Sequence, residues 1–354
     1  MNAPRALAVA AVLSFASCKH DAPVAPPAAP PPAPLVTPAP PPPPPKVELP
    51  PAPALPATPA GLAEVKDPED NPTTPEKADL GHKLFFDKRL SKDGSMACEA
   101  CHHIEKAYTS GAATDAKVGG AMNSRNAPSM LNLGYHASFY WDGRMPTLEA
   151  VSNAAWKGQL GADPKTVAAA LNEVPVYKAL FQRAFNEDAT AENVPKALAA
   201  WLRVMKNGNS PWDKAQAGDK AALSKDAQAG FTLFTKKGCA TCHVPPLFSD
   251  FDFHNAGLGA DAGRKDATRQ DADTGRFKTP SLRNVALTAP YFHDGSAATL
   301  DDAIALMAKG GNKNPLLDAK FKPQKLSAKE AAQLKAFLES LTGESTYAQP
   351  PELP

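Results

Sequence analysis

The sequence predicts a mainly α-helical protein of two similar domains, preceded by a disordered linker rich in Pro and Ala. Three observations support this fold class. Apolar residues recur with a helical period over residues 77–86, 147–155, 164–185, 191–205, 224–234, 300–307 and 327–341. The motif C-x-x-C-H occurs twice, once in each half of the chain. Many of the 38 prolines crowd an early segment that has too few large apolar residues to form a core.

Residues 1–18 have the pattern of a secretory signal. One basic residue, Arg5, precedes an apolar stretch and two small residues, and the segment ends at Cys18. A membrane span would need about 20 consecutive apolar residues, so this stretch is too short to be one. The terminal cysteine resembles a lipoprotein signal, with a plain signal peptide as the alternative. We therefore expect a periplasmic or outer-envelope protein, tethered through a lipidated Cys18.

Residues 19–60 form the predicted linker, which includes the proline run at 40–45. Such a segment favours polyproline II and acts as a semi-rigid stalk. The remaining chain is long enough for two domains, which we expect at residues 61–212 and 213–345, followed by a tail at 346–354. Helix start signals stand at Thr147, Asp163 and Ser327. A net charge of +1 gives no indication of a nucleic-acid partner.

The two C-x-x-C-H motifs predict two covalently bound haem c groups. In this pattern two thiols bond to the haem and the next histidine ligates the iron. A zinc ribbon would bring its cysteine pairs close together in sequence, and a redox dithiol needs no adjacent histidine. The haem-attaching cysteines and the iron-ligating histidines are therefore predicted to be Cys98, Cys101 and His102 in the first motif, and Cys239, Cys242 and His243 in the second. Each half is then a cytochrome c-like haem domain.

Six further motifs surround these two and occur in a fixed order. They are LGHKLFFD at 80–87, RNAP at 125–128, FYWDGR at 139–144, FHN at 253–255, PSLRN at 280–284 and TAPYFHDG at 288–295. In this order the chain resembles the bacterial di-haem cytochrome c peroxidase superfamily, which includes the MauG-type protein-oxidising enzymes. The resemblance extends over residues 80–343.

The resemblance implies a division of labour between the two haems. The N-terminal haem is expected to bind and reduce hydrogen peroxide to water. The C-terminal haem is expected to accept electrons from a small cytochrome c or a cupredoxin. Two irons with an aromatic bridge suit this reaction, because peroxide takes two electrons while such donors deliver one at a time. The predicted activity is therefore that of a cytochrome-c peroxidase, and a homodimer is left open.

The resemblance also implies roles for individual residues. Met307 matches the distal iron ligand of the C-terminal haem, where MauG-type enzymes have a tyrosine; its spacing from Leu300 and Ile304 alone would suit a core residue. Trp141 matches the tryptophan between the two haems. The positions that match an inter-haem calcium site are Asn126, Thr288 and Pro290.

Two departures from the family pattern concern the peroxide site. The loop at residues 109–124, which carries a haem-capping histidine in many relatives, has none here, and Met122 is its only conventional haem ligand. Gln159 stands where the family's catalytic glutamate is expected. Glutamine can hydrogen-bond peroxide but cannot transfer a proton. Glu149 and His136 are substitute candidates for that role, each with a structural role as the alternative.

Two other functions remain open. A MauG-like oxidase acting on a partner protein is favoured by the histidine-free loop and opposed by Met307. A non-enzymatic di-haem electron carrier is favoured if Gln159 disables the acid–base step.

Overall fold

The computed structural model describes residues 12–14 and 47–354 of the 354-residue chain. Most of the predicted signal segment, Cys18 and most of the predicted linker lie outside these residues. The predicted mainly helical class is confirmed. The helices are α1 Pro75–Phe86, α2 Leu148–Gly158, α3 Pro164–Asn172, α4 Pro175–Phe185, α5 Asn193–Val204, α6 Pro211–Gln216, α7 Lys225–Lys236, α8 Lys265–Thr268, α9 Leu300–Ala308 and α10 Ala328–Glu339. Of the helices in the described part of the chain, none combines the length and apolar character of a membrane span.

Helix starts follow the predicted capping signals. The Thr147 hydroxyl accepts the N–H of Ala150 at 3.0 Å, and so begins α2. Ser327 and Glu330 form a reciprocal capping box at the start of α10. These side chains satisfy backbone donors that the first helical turn leaves without partners.

The predicted helix over residues 164–185 is wrong in one respect, because it is two helices. The first ends with Glu173 as its C-cap, and the second begins at Pro175. Proline has no N–H to donate to the preceding turn, and its ring drives Val174 into an extended conformation. The apolar period continues across this break, so periodicity alone did not reveal it.

The N-terminal domain is built around the crossing of α1 and α5. Gly81 lies directly against the carbonyl of Ala197 and the Cβ of Trp201, where any side chain would collide with backbone. Glycine therefore permits the close approach of the two helices. Leu84 and Phe85 on the same face of α1 are fully buried in the core beside them.

The C-terminal domain repeats this arrangement with α7 and α10. Gly230 lies against the carbonyl of Gln333 and the Cβ of Phe337, and Phe234 one turn later is buried in the second core. The predicted internal repeat thus appears in three dimensions as two equivalent helix crossings, each with a glycine at the point of contact.

Short strands join distant segments. Strand β1 (Asn207–Gly208) pairs antiparallel with β4 (Glu344–Ser345), and β2 (Phe253–His254) pairs antiparallel with β3 (Phe277–Lys278). The β1–β4 pair draws the C-terminal end of the chain back to the N-terminal domain, where Tyr347 packs against the core. The compact unit starts at Val47, and Leu49 packs on the same core.

Candidate haem sites

Each C-x-x-C-H motif lies on a short 3₁₀ turn that follows the first helix of its domain, at Cys98–Ala100 and Cys239–Thr241. None of the four motif cysteines forms a disulfide. The Nδ1 of His102 lies 2.8 Å from the carbonyl of Tyr108, and the Nδ1 of His243 lies 3.0 Å from the carbonyl of Phe248. A carbonyl partner at Nδ1 fixes the proton there and leaves Nε2 free to ligate a metal.

Burial keeps both imidazoles in the neutral form that a metal requires. It lowers the pKa of His102 to about 4 and lowers that of His243 below its ordinary value. The thiols beside them are also buried, which raises the pKa of Cys98 to about 12. The donor set therefore suits the group that the two motifs predict.

A cavity of about 370 Å³ opens beside the second motif. Cys239, Cys242 and His243 line one part of it, and Met307 of α9 lines another. The buried amine of Lys278 also borders the cavity, and burial lowers its pKa to about 8. A largely apolar cavity bordered by thiols, imidazoles, a thioether and several amines suits a haem with acidic substituents, so the residues fit the predicted group.

Trp141 lies at the junction of the two domains. Its indole Nε1 donates to the carbonyl of Asn126 at 2.9 Å, and its own carbonyl accepts the backbone N–H of Lys278 at 2.8 Å. Its ring borders the cavity of the second motif and stands 6.5 Å from that of His293. Trp141 is thus hydrogen-bonded to both domains, through its side chain to the N-terminal domain and through its backbone to the C-terminal domain.

Sequence reasoning had not assigned a role to His293, although the HDG motif contains it. Its ring stacks on Phe277 with centroids 3.8 Å apart, and its carbonyl accepts the backbone N–H of Asn126 at 2.7 Å.

The RNAP and WDGR motifs meet at the same junction. The guanidinium of Arg125 pairs with Asp142 at 2.6 Å and with Asp261 at 2.7 Å, so it joins the two domains. The signal that could have identified His293 and Arg125 in the sequence was their position within these motifs.

The three predicted calcium positions border one cavity. Asn126, Thr288 and Pro290 all line it together with Trp141. The amide nitrogen of Asn126 donates to the carbonyl of Ala112 at 2.7 Å, so its amide oxygen is the atom suited to a hard cation. The structure brings these residues together, and calcium binding stays a prediction.

Gln159 caps α2 and touches the histidine-free loop. Its carbonyl accepts the N–H of Val118 in that loop at 2.9 Å. Its side-chain Oε1 is buried and has no hydrogen-bond partner among the described residues. A buried amide oxygen without a partner costs about 1–3 kcal/mol, which favours a missing polar ligand beside it.

The substitute candidates are engaged elsewhere. Glu149 accepts hydrogen bonds from Arg203 at 2.6 Å and from Asn71 at 2.8 Å, and its place on α2 is about 15 Å along the helix from Gln159. His136 borders the cavity of the second motif, where its ring lies 4.4 Å from Phe251. The structure therefore gives Glu149 a structural role and associates His136 with the other haem site.

A further polar cluster lies beside the second motif. His254 contacts Asp318 through Nδ1 at 2.6 Å and Asp250 through Nε2 at 3.0 Å. Hydrogen bonding to Cys242, then to Asp318 and Asp250, raises the pKa of His254 to about 10. Ligand atoms of Cys242, Asp250 and His254 lie within 4.8 Å of one another, but this cysteine belongs to the haem motif. The cluster is therefore part of the haem surroundings.

Comparison with known proteins agrees with this geometry. Residues 75–221 match the family described as di-haem cytochrome c peroxidase, and residues 227–342 match the cytochrome c family. The chain is 39% identical to the methylamine utilization protein MauG of Methylorubrum extorquens, over 82% of this chain and 85% of that protein.

The chain belongs to the di-haem cytochrome c peroxidase and MauG superfamily. It is also 34% identical to the cytochrome-c peroxidase IdrP1 of Denitromonas iodatirespirans, over 83% of this chain and 89% of that protein. A solved MauG-like protein associated with microbial copper homeostasis shares its fold with a TM-score of 0.77 and 32% identity, over 81% of this chain and 95% of that one. Membership of this superfamily assigns the chain to the oxidoreductases and implies two covalently bound haem c groups.

Proposed function

We propose that this protein reduces hydrogen peroxide to water at the N-terminal haem, with electrons that enter at the C-terminal haem. The donor would be a small cytochrome c or a cupredoxin. The main support is the position of Trp141, which is hydrogen-bonded to Asn126 of one domain and to Lys278 of the other. Electron transfer between two centres is favoured by an aromatic ring fixed between them.

Bound haem supplies the iron chemistry, and the residues of the chain orient it. His102 and His243, each fixed through Nδ1, would ligate the two irons through Nε2. Met307 would be a further ligand of the C-terminal iron, because it borders the same cavity as His243. A thioether ligand raises the potential, as an electron-accepting site requires.

Gln159 would be the polar group on the peroxide side of the N-terminal haem. Its unpartnered amide oxygen would accept a hydrogen bond from peroxide. An amide cannot take up and return the proton that moves during O–O cleavage, so the transfer would depend on water. The proposed reaction is therefore slower than that of an enzyme with a carboxylate at this position.

Calcium would bind between the two domains. The amide oxygen of Asn126 and the carbonyls of Thr288 and Pro290 are hard ligands, and water would complete the shell. The ion would stiffen the segment that holds Trp141, because Asn126 accepts the indole hydrogen bond. We also propose a periplasmic location with a lipid tether at Cys18, on the basis of the signal-like sequence.

A MauG-like oxidation of a partner protein is the second candidate. It is favoured by the 39% identity to MauG of Methylorubrum extorquens. It is opposed by Met307 in place of the tyrosine expected in that group. An electron carrier without enzymatic activity is the third candidate, favoured only by Gln159.

The deciding experiment measures the oxidation of a reduced small cytochrome c by the purified di-haem protein. We expect oxidation that depends on peroxide, with two donor molecules consumed for each peroxide. Trp141→Phe should slow it by roughly tenfold or more, which is a barrier change above about 1.4 kcal/mol. The matched control is Trp212→Phe, which replaces a buried tryptophan of the C-terminal core and should leave the rate unchanged. Donor that stays reduced in the presence of peroxide would contradict the proposal.

A further inference from the structure

The aromatic side chains around the two proximal histidines occupy equivalent places. Phe85 lies 6.4 Å from His102 with its ring inclined by 48°, and Phe234 lies 6.4 Å from His243 with the same inclination. Gly81 against Trp201 corresponds to Gly230 against Phe337. The two domains can therefore be compared ring by ring.

The rings of the two domains occupy equivalent positions, but the residue types at some of these positions differ. At three equivalent positions the N-terminal domain has a histidine, a tyrosine or a tryptophan, and the C-terminal domain has phenylalanine. The pairs are His82 and Phe231, Tyr108 and Phe248, and Trp201 and Phe337. Ring separations match, at 6.1 and 5.8 Å for the Tyr108–Trp201 and Phe248–Phe337 pairs. Tyrosine and tryptophan can be oxidised by one electron far more readily than phenylalanine.

In the N-terminal domain, contacts between aromatic rings extend from the haem site to the protein surface. Trp201 lies 4.6 Å from Phe85 on its inner side and 5.7 Å from Tyr347 on its outer side. Its ring also stacks on His82 at 5.1 Å, and His82 lies 4.8 Å from Tyr347. Trp201 is fully buried, whereas Tyr347 is partly exposed. A continuous series of ring contacts thus runs from the proximal side of the first haem site to solvent.

The N-terminal domain keeps these residues at an energetic cost. The indole Nε1 of Trp201 and the Nε2 of His82 are buried and have no partner among the described residues. Each such group costs about 1–3 kcal/mol. Phenylalanine fills the corresponding places in the C-terminal core without this cost, although Trp212, 4.9 Å from Phe248, carries a buried indole Nε1 of the same kind there. Burial lowers the pKa of His82 to about 4, and the neutral ring adds no positive charge beside the indole.

We propose that Trp201 and Tyr347 form a path by which oxidising equivalents leave the N-terminal haem site for the protein surface. The inference rests on the proposed peroxide reaction at that haem. The path would act when the small redox donor is absent. It would protect the haem and the buried core from oxidation by placing the oxidised side chain where solvent or an external reductant can reach it.

The electron balance is simple. Reduction of one hydrogen peroxide to two waters takes two electrons and two protons, which the donor and solvent normally supply. In the path, Tyr347 would supply one of these two electrons, and the haem would supply the other and keep the remaining oxidising equivalent. The electron passes inward through Trp201, and the phenol of Tyr347 releases its proton to water and becomes a neutral tyrosyl radical. Trp201 has no proton acceptor at Nε1 among the described residues, so it would retain its proton and pass the charge on. Tyr108 donates its hydroxyl to the carbonyl of Tyr347, a poor base, and is a weaker terminus.

The test treats the di-haem protein with excess peroxide and a spin trap, with no reductant, and maps the trapped residues by peptide mass spectrometry. We expect trap on Tyr347 in the parent protein. Trp201→Phe, which installs the residue found at the equivalent position 337, should reduce that label severalfold and accelerate haem bleaching. Trp212→Phe is the matched control and should change neither readout.

Tyr347→Phe provides a second test at a partly exposed position, where the substitution keeps the ring and its packing. This substitution should abolish spin-trap labelling at position 347 and should also accelerate the bleaching of the haem. Equal labelling of Tyr347 in the parent and in Trp201→Phe would overturn the path while leaving the proposed function standing. Haem absorption that peroxide does not change would contradict the proposed function, and the path with it.

Discussion

The indole of Trp141 donates its Nε1 hydrogen to the carbonyl of Asn126 at 2.9 Å, and Asn126 donates its own backbone N–H to the carbonyl of His293 at 2.7 Å. One residue of the N-terminal domain therefore holds both the bridging indole and the motif of the other domain. The Arg125 guanidinium beside it pairs with Asp261, also in the C-terminal domain. The orientation of Trp141 and the docking of the domains are thus coupled.

The ligand of the C-terminal iron can be tested with Met307→His. Imidazole stabilises the ferric state more than a thioether does, so the potential of this haem should fall by on the order of 0.1 V, within a range of about 0.8 V that axial ligands set. A spectroscopic redox titration measures the shift. Leu316→His, at a side chain that is 42% exposed, is the control and should leave this potential unchanged. An unaltered titration of the Met307 variant would show that this methionine is only a packing residue.

The resting state of the N-terminal haem follows from the loop at residues 109–124. The loop contains no histidine, and Met122 points to solvent. We expect a five-coordinate, high-spin N-terminal haem in the fully oxidised protein, which reacts with peroxide without prior reduction. Electron paramagnetic resonance of the oxidised protein measures the spin state. A spectrum with low-spin signals alone would mean that another side chain closes this site.

Gln159→Glu should accelerate peroxide turnover. A general acid–base group contributes roughly 10²- to 10⁴-fold, and the buried position of the Gln159 side-chain oxygen would bring the carboxylate to the same point. The matched control is Gln159→Met, which keeps the volume and has no acid–base group, so it should not accelerate the reaction. Stopped-flow mixing with peroxide measures both rates. A glutamate variant no faster than the parent would place the distal residue elsewhere.

Stability at low pH should depend on the buried pair of Arg283 and Asp213, whose side chains are 1% and 5% exposed. Burial alone would raise the pKa of Asp213, but hydrogen bonds and charge from Arg283 lower it below its ordinary value. The stabilisation is therefore present above the unfolded carboxyl pKa of about 3.9, and it is lost as pH falls through the lower folded value.

Arg283→Met should lower the free energy of unfolding by about 3–5 kcal/mol, because it leaves the buried carboxylate of Asp213 without its charged partner and with hydrogen bonds from Ser210 alone. Urea unfolding of the di-haem protein at neutral and acidic pH measures this. Lys335→Met removes a surface ion pair with Asp301 and serves as the control, with little expected change. Equal effects of the two substitutions would contradict a stabilising role for the buried pair.

The parts of the fold that could be predicted from the sequence are those set by residues close together in the chain. Ser327 and Glu330 predict the start of α10 because they bond within one helical turn. The two similar domains were predicted because the C-x-x-C-H motif occurs once in each half of the chain. The break at Pro175 was missed because the apolar period continues on both sides of it.

The surroundings of Glu149 and His136, the two substitute candidates, are governed by distant partners. Glu149 was a candidate acid–base group until Arg203 and Asn71, both far away in sequence, engaged its carboxylate. His136 meets Lys278 of the other domain. Such pairings arise only when helices and loops from separate parts of the chain come together, and no local pattern records them.

The central claim is that electrons held by the C-terminal haem reach peroxide at the N-terminal haem. The most direct measurement follows the absorption of the reduced C-terminal haem after rapid mixing with peroxide in the absence of any donor. We predict that its reduced bands disappear rapidly in the parent protein and roughly tenfold or more slowly in Trp141→Phe. Reduced bands that persist while peroxide is consumed, or an equal rate in both proteins, would contradict it.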